Sequence, residues 1–210
     1  GGYFETAKRV VDTLMLLLGK AFPFDIPAQS GGSHGPTIMK FEKATHLALF
    51  GSGSGAKRDV PGGSAICTDV HQWPLDSVEE LETRLPLQVI QSNIREGSGG
   101  KGKFHGGDGL VRGYKFLAPA QVLILADRQV THAHGTFGGN GGEPLEIIVH
   151  QPGDRKKGQK EKRLISFMAG ETLIMQTPGG GGWGKEEPKK EEQKKEELKK
   201  EESKKEESKK

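Results

Sequence analysis

The stretch that most constrains this chain is residues 95–116, REGSGGKGKFHGGDGLVRGYKF. Seven glycines fall between Gly97 and Gly109, and a strand pattern follows at once. Glycine at this density marks backbone that takes φ > 0 or passes close to other backbone. In mid-chain it either shapes a tight loop or holds a phosphate on backbone N–H groups. A phosphate loop would end in Gly-Lys-Ser/Thr and open a helix, and neither follows here. Residues 51–55 (GSGSG) also lack a following helix pattern, and residues 177–184 (TPGGGGWG) close the last strand pattern. These loops therefore read as turns between closely packed strands, with Trp183 expected to pack back on the body.

Residues 3–21 read as a helix. Val10, Val11, Leu14, Leu17 and Leu18 recur at helical spacing, flanked by Lys8, Arg9 and Asp12. Glu5 suits the dipole of the first turn, and Pro23 ends the helix. Residues 37–50 suggest one or two strands, and residues 64–70 (SAICTDV) a short buried one that would enclose Cys67. Asp76, with Glu79 three residues on, has the pattern of a capping box. Strand patterns then occupy 87–94, 110–117, 121–126, 145–150, 163–168 and 172–177, separated by turn-formers. The expected fold class is α+β: an N-terminal helix, then a glycine-rich, mainly antiparallel β domain of sandwich or barrel type over residues 1–184.

Residues 185–210 repeat EEPKK, EEQKK, EELKK, EESKK, EESKK, with eleven Lys and ten Glu. Each Glu has a Lys three or four residues on, but no apolar stripe exists to dock such a helix. This tail reads as solvated, either disordered or a single helix. Without it, 20 of the 31 basic and 18 of the 28 acidic residues remain, so the body is near neutral. No basic, aromatic-interleaved patch points to nucleic acid. The longest apolar run, 14–18, is far short of a membrane span. No signal-peptide pattern opens the chain. The single cysteine excludes an internal disulfide and fits a cytoplasmic setting.

Four places offer chemistry. His132 and His134 form an H-x-H pair, half of a metal site if both rings face one side of a strand. Asp69 and His71 share the same spacing and suit acid–base work; the alternative is a polar strand end. Arg112, Asp127 and Arg128 could bind a substrate carboxylate or phosphate. The plainer reading of these charges, with Asp108, is ion pairs bracing loops.

At these residues the chain resembles a known family. RLPLQV, REGSGGKGKFHGGDGLVRGYKF, ADR, GTFGG and TPGGGGWG, in this order, resemble the C-terminal part of the hydantoinase B/5-oxoprolinase family. GGYFETAKRVVD and IPAQSGG extend the resemblance to residue 1. It implies part of an enzyme that hydrolyses a lactam or imide ring, such as 5-oxoproline or N-methylhydantoin, at the expense of ATP. ATP and a divalent metal are implied for the assembly, with no cofactor assigned to this chain. The implied partners are a hydantoinase A-like nucleotide-binding subunit or region and the remainder of the B subunit. Related members are ketone carboxylase subunits. The glycine skeleton is kept, whereas polar family positions are replaced at Gly35, Pro36, Ala48, Cys67 and Asp69. A second expectation is therefore a non-catalytic member that folds and binds a partner.

Overall fold

The structure is a computed structural model and describes residues 4–68, 70, 72–151 and 163–186. The expectations for the tail beyond residue 186, and for Asp69 and His71, lie outside the described residues. Ten elements run in the order α1 (Phe4–Ala21), β1 (Thr37–Lys40), β2 (Thr45–Ala48), α2 (Val78–Arg84), β3 (Leu87–Arg95), β4 (Gly109–Phe116), β5 (Ala120–Ile124), β6 (Glu146–His150), β7 (Arg163–Phe167) and β8 (Thr172–Gln176).

The strands form two four-stranded sheets, ordered β2-β1-β5-β7 and β3-β4-β8-β6. Every described pairing between them is antiparallel. Alternation sets the inner faces: Val122 and Ile124 of β5, Ile147 and Val149 of β6, and Leu173 and Met175 of β8 are all buried. The two inner faces share one core. Phe116 of β4 stacks on Phe167 of β7 with ring centroids 4.4 Å apart, joining the sheets directly. The molecule is thus a sandwich with helices, consistent with the α+β expectation. A bulge at Ile90 turns that side chain outward, 45% exposed.

α2 closes one side of the core with Leu81 and Leu85. Its N-cap is Ser77, not Asp76: the Ser77 hydroxyl accepts the Glu80 N–H at 3.1 Å. Asp76 lies one residue too early, and its carbonyl and carboxylate are directed to Arg112 and His46 instead. Residues 64–70 are a second correction. They make one bridge, Ser52 to Ile66, rather than a buried strand. Their apolar residues have a glycine loop for a neighbour instead of a sheet, so Ile66 is 43% exposed and Cys67 half-buried.

α1 sits against the loops at residues 29–34 and 126–128, not against either sheet. Its orientation reverses that of an ordinary surface helix. Glu5, Lys8 and Asp12 point inward and are buried, while Val10, Leu14 and Leu17 are more than half exposed. Among the described residues no helix is long and apolar enough to cross a membrane.

The glycine loops converge beyond one end of the sandwich. Residues 179–184 run through their centre, and six successive N–H groups each reach a different carbonyl. Gly179 donates to Glu143, Gly180 to Gly107, Gly181 to Gln29, Gly182 to Asn140, Trp183 to Phe104 and Gly184 to Thr136, at 2.8–3.1 Å. Such interleaving leaves no room for side chains. A Cβ on Gly180 would stand 2.0 Å from the Ser54 carbonyl oxygen, and one on Gly53 1.8 Å from that of Gly107.

Candidate functional site

The inward face of α1 builds a buried polar cluster. Glu5 accepts two hydrogen bonds at 2.8 Å, from the His34 backbone N–H and the Ser33 hydroxyl. Burial pushes its carboxyl above the ordinary value, Asp127 adds to that, and the two donors and Lys8 oppose it. Lys8 Nζ lies 3.0 Å from His34 Nε2, and His34 Nδ1 lies 3.0 Å from the Phe50 carbonyl. A carbonyl only accepts, so Nδ1 carries the proton and Nε2 accepts from Lys8. His34 thus links Lys8 to the Phe50 carbonyl, two residues past β2.

One turn along, Asp12 meets Arg128. Arg128 Nη2 donates to Asp12 Oδ2 at 2.6 Å, with side chains 3% and 8% exposed. Arg128 also donates to the His132 carbonyl at 2.6 Å and to Gln29 Oε1 at 3.3 Å. Gln29 donates to Asp12 at 2.7 Å and accepts the His134 N–H at 3.0 Å. Burial lowers the Arg128 guanidinium to about 10, against the raising effect of Asp12, so it stays cationic at neutral pH. Its backbone holds φ 57, a left-handed conformation that the surrounding bonds sustain. The Asp127 N–H donates to Ser33 Oγ at 3.3 Å. Arg128 thus ties α1 to the body, while Asp127 reaches the loop residue Ser33 through its backbone.

Arg112 stands elsewhere. It is 1% exposed and donates to Ser92 Oγ at 2.6 Å and to the Asp76 carbonyl at 3.0 Å, with its guanidinium 5.9 Å from the Tyr114 ring centroid. By holding Asp76 it anchors residues 72–75, one wall of an open cleft of about 820 Å³. Ile66, Cys67, Trp73 and Leu110 face this cleft. Cys67 Sγ donates to the Trp73 carbonyl at 3.4 Å. Asp69 and His71 fall in sequence between the cleft residues Cys67 and Gln72. His46 and Asp76 approach within 3.4 Å behind this wall. Burial lowers the His46 imidazole below its usual value, Asp76 raises it, and Arg84 assists the burial. The balance leaves it neutral at pH 7.

His132 and His134 are exposed and do not share a strand. His132 Nδ1 lies 3.0 Å from the Gly142 carbonyl. Among the described residues no three His, Cys, Asp or Glu side chains gather as a metal site. The glycine stretch likewise offers no phosphate cradle. Gly99 donates to Asp108, Gly100 to Gly180, Gly106 to Gly100, Gly107 to Ser54 and Gly109 to Ser98. Donors that satisfy protein acceptors are not free to hold a nucleotide. Among the described residues, His132 and His134 gather no third such ligand, and the glycine donors named above are taken by protein acceptors.

Spacing alone does not mark Glu5, Lys8, Gln29, Ser33 and His34 as site residues. The spacing of 5, 8 and 12 does place those positions on one helix face. Only their burial, opposite an apolar stripe, reveals the cluster.

Among the described residues, an eight-stranded sandwich whose end is closed by interleaved glycine segments, with a helix fastened by an ion pair, defines a glycine-rich β module. The chain belongs to the hydantoinase B/oxoprolinase family, whose model matches residues 1–186. It is 30% identical to a 5-oxoprolinase of Dictyostelium discoideum over 187 residues, covering 89% of this chain and 14% of that protein. It is 30% identical to an uncharacterised protein of Methanocaldococcus jannaschii over 183 residues, covering 87% and 32%. Its fold resembles an ATP-dependent caprolactamase from Pseudomonas jessenii, with TM-score 0.64, 22% identity, and 81% and 32% of the two chains covered. The chain thus spans about a seventh to a third of the proteins it matches.

Proposed function

We propose that this chain is a component of an ATP-dependent hydrolase that opens a cyclic amide or imide ring of the 5-oxoproline or hydantoin type. Nucleotide would be bound by a hydantoinase A-like subunit or region, and the remainder of the B subunit would complete the active site. Family membership over residues 1–186, with a 5-oxoprolinase 30% identical across most of the chain, carries this reading. The commitment of the glycine N–H groups to protein acceptors supports placing nucleotide elsewhere. Asp69 and His71 are the proposed acid–base pair; in sequence they fall between Cys67 and Gln72, which line the cleft. Arg112, Asp127 and Arg128 would serve through the loops they brace. A cytoplasmic setting is part of the same proposal, supported by the requirement for ATP and by the free thiol of Cys67.

The test is ADP release dependent on 5-oxoproline, with the chain alone and with the nucleotide-binding subunit and the rest of the B subunit added. Turnover is expected only from the assembly, and is lost in Asp69→Ala or His71→Ala with the far-UV circular dichroism unchanged. Turnover by the chain alone would overturn the dependence on partners. An assembly inert towards 5-oxoproline and hydantoins would overturn ring opening. A second reading, a non-catalytic folding and partner-binding module, is favoured by polar clusters built as braces between protein groups. Under it both alanine variants leave the assembly's turnover unchanged.

A further inference from the structure

α1 turns outward the face that a surface helix normally buries. Val10, Leu14, Leu17 and Leu18 are between 42% and 56% exposed, and Phe22 and Phe24, just past the helix, 55% and 57%. The patch continues across the surface: Phe24 stacks on Phe137 at 5.1 Å, and Phe137 lies 4.9 Å from Trp183. Phe137 is held at φ 51, a conformation costly for a non-glycine residue, and keeps its ring 44% exposed. These side chains present apolar surface on the order of 500 Å², towards the upper end of what monomers leave in water. The rim is polar, with exposed Thr6, Thr13 and Lys20 beside the helix and the Arg58 guanidinium 5.4 Å from the Phe24 ring centroid. An apolar centre rich in aromatic residues inside such a rim is the composition of a protein–protein interface.

We propose that this surface is the face on which the rest of a hydantoinase B-type polypeptide docks, through an apolar surface of its own. The choice of occupant follows from length. The chain spans 32% of the M. jannaschii relative and 32% of the caprolactamase chain, so about two-thirds of such a polypeptide lies outside it. The inference rests on the reading above only in taking that polypeptide as the partner, and needs no turnover. The polar inner face of α1 then has a purpose. An ion pair with Arg128 and a hydrogen bond from Ser33 fix the helix to the body, and its apolar face stays available for the partner.

The test uses the portion of the M. jannaschii relative outside the matched segment, produced as a separate polypeptide and titrated with the 210-residue chain in sedimentation velocity. A one-to-one complex is expected. Leu14→Glu with Leu17→Glu should weaken it about 100-fold or more, as charge at a hot spot does. Leu164→Glu, at a position 64% exposed on β7, should leave it unchanged. Circular dichroism checks that the variants fold. As a readout independent of affinity, maleimide labelling of Leu14→Cys in a Cys67→Ser background should slow on adding the partner. Four results would overturn the proposal: no complex, a complex indifferent to the Leu14/Leu17 change, unaltered labelling, or self-association of the chain that the same change abolishes. A complex formed through α1 that stays inert towards 5-oxoproline and hydantoins once ATP and the nucleotide-binding subunit are added would uphold the docking face and overturn ring opening.

Discussion

Asp12→Ala isolates what fastens α1. The Asp12–Arg128 contact is 2.6 Å long and both side chains are more than nine-tenths buried. At an effective dielectric constant near 20 that separation corresponds to roughly 6 kcal/mol of attraction before desolvation is counted. Removing the carboxylate leaves a buried guanidinium without its counter-charge, and also strips an acceptor from Gln29. The expected loss is about 3–5 kcal/mol, the range for breaking one side of a buried pair. Arg128→Met should cost less, because Asp12 keeps Arg9 at 3.3 Å and Gln29 at 2.7 Å. Asp12→Leu combined with Arg128→Met should recover part of the loss, since neither charge is then orphaned. Urea unfolding of the 210-residue chain, followed by circular dichroism, gives all three values. If Asp12→Ala costs under about 1 kcal/mol, the pair is behaving as a solvated surface bridge, and the inward polar face of α1 is misassigned.

Three further perturbations test other parts of the structure. Gly180→Ala should prevent accumulation of soluble folded chain, because its Cβ would stand 2.0 Å from the Ser54 carbonyl oxygen. Gly97→Ala, with φ +76 and nothing within 4 Å, should cost only about 1–2 kcal/mol, and equal behaviour of the two would refute the close-packing argument. His46, lowered mainly by burial, binds a proton more readily when the chain is unfolded. Its contribution is complete above pH 6.5 and is lost as pH falls below that value, so unfolding midpoints from pH 5 to 7 should flatten in His46→Gln. Burial raises the Tyr114 phenol to about 12, so Tyr114→Phe should remove an ultraviolet titration step near that pH and none near 10.

Much of the fold follows from local pattern. α1 and most strands appear within a residue or two of their periodicity, because a 3.6-residue or two-residue repeat is recorded in neighbouring positions. Residues 64–70 show where that fails: an apolar run does not reveal whether a sheet or a glycine loop lies beside it. Asp76 was the better cap by spacing, but Ser77 has the position, and the Arg112 bond to Asp76 spans 36 residues. The site was less legible for the same reason. Arg128 and Asp127 stood out as charges beside strands, yet the partner of Arg128, Asp12, is 116 residues away. Glu5 looked like a dipole-compensating residue, and only contact with Ser33 and His34, 28 and 29 residues on, makes it a buried anchor. The glycine stretches were recognised as architecture from the absence of a phosphate-loop ending. That residues 179–184 donate into three separate loops, at residues 29, 104–107 and 136–143, emerges only in three dimensions.

The segment at residues 179–184 also bears on the order of folding. Its donors reach Gln29, Phe104, Gly107, Thr136, Asn140 and Glu143, so one short stretch completes loops drawn from most of the body. On a ribosome those loops would emerge with their central strut still inside the exit tunnel, their carbonyls satisfied only by water. Contacts of such long sequence separation form late and slowly. Maturation of this module would then be gated by one short run of backbone, residues 179–184, and a synthesis pause just before Pro178 would leave both sheets present and the glycine end open.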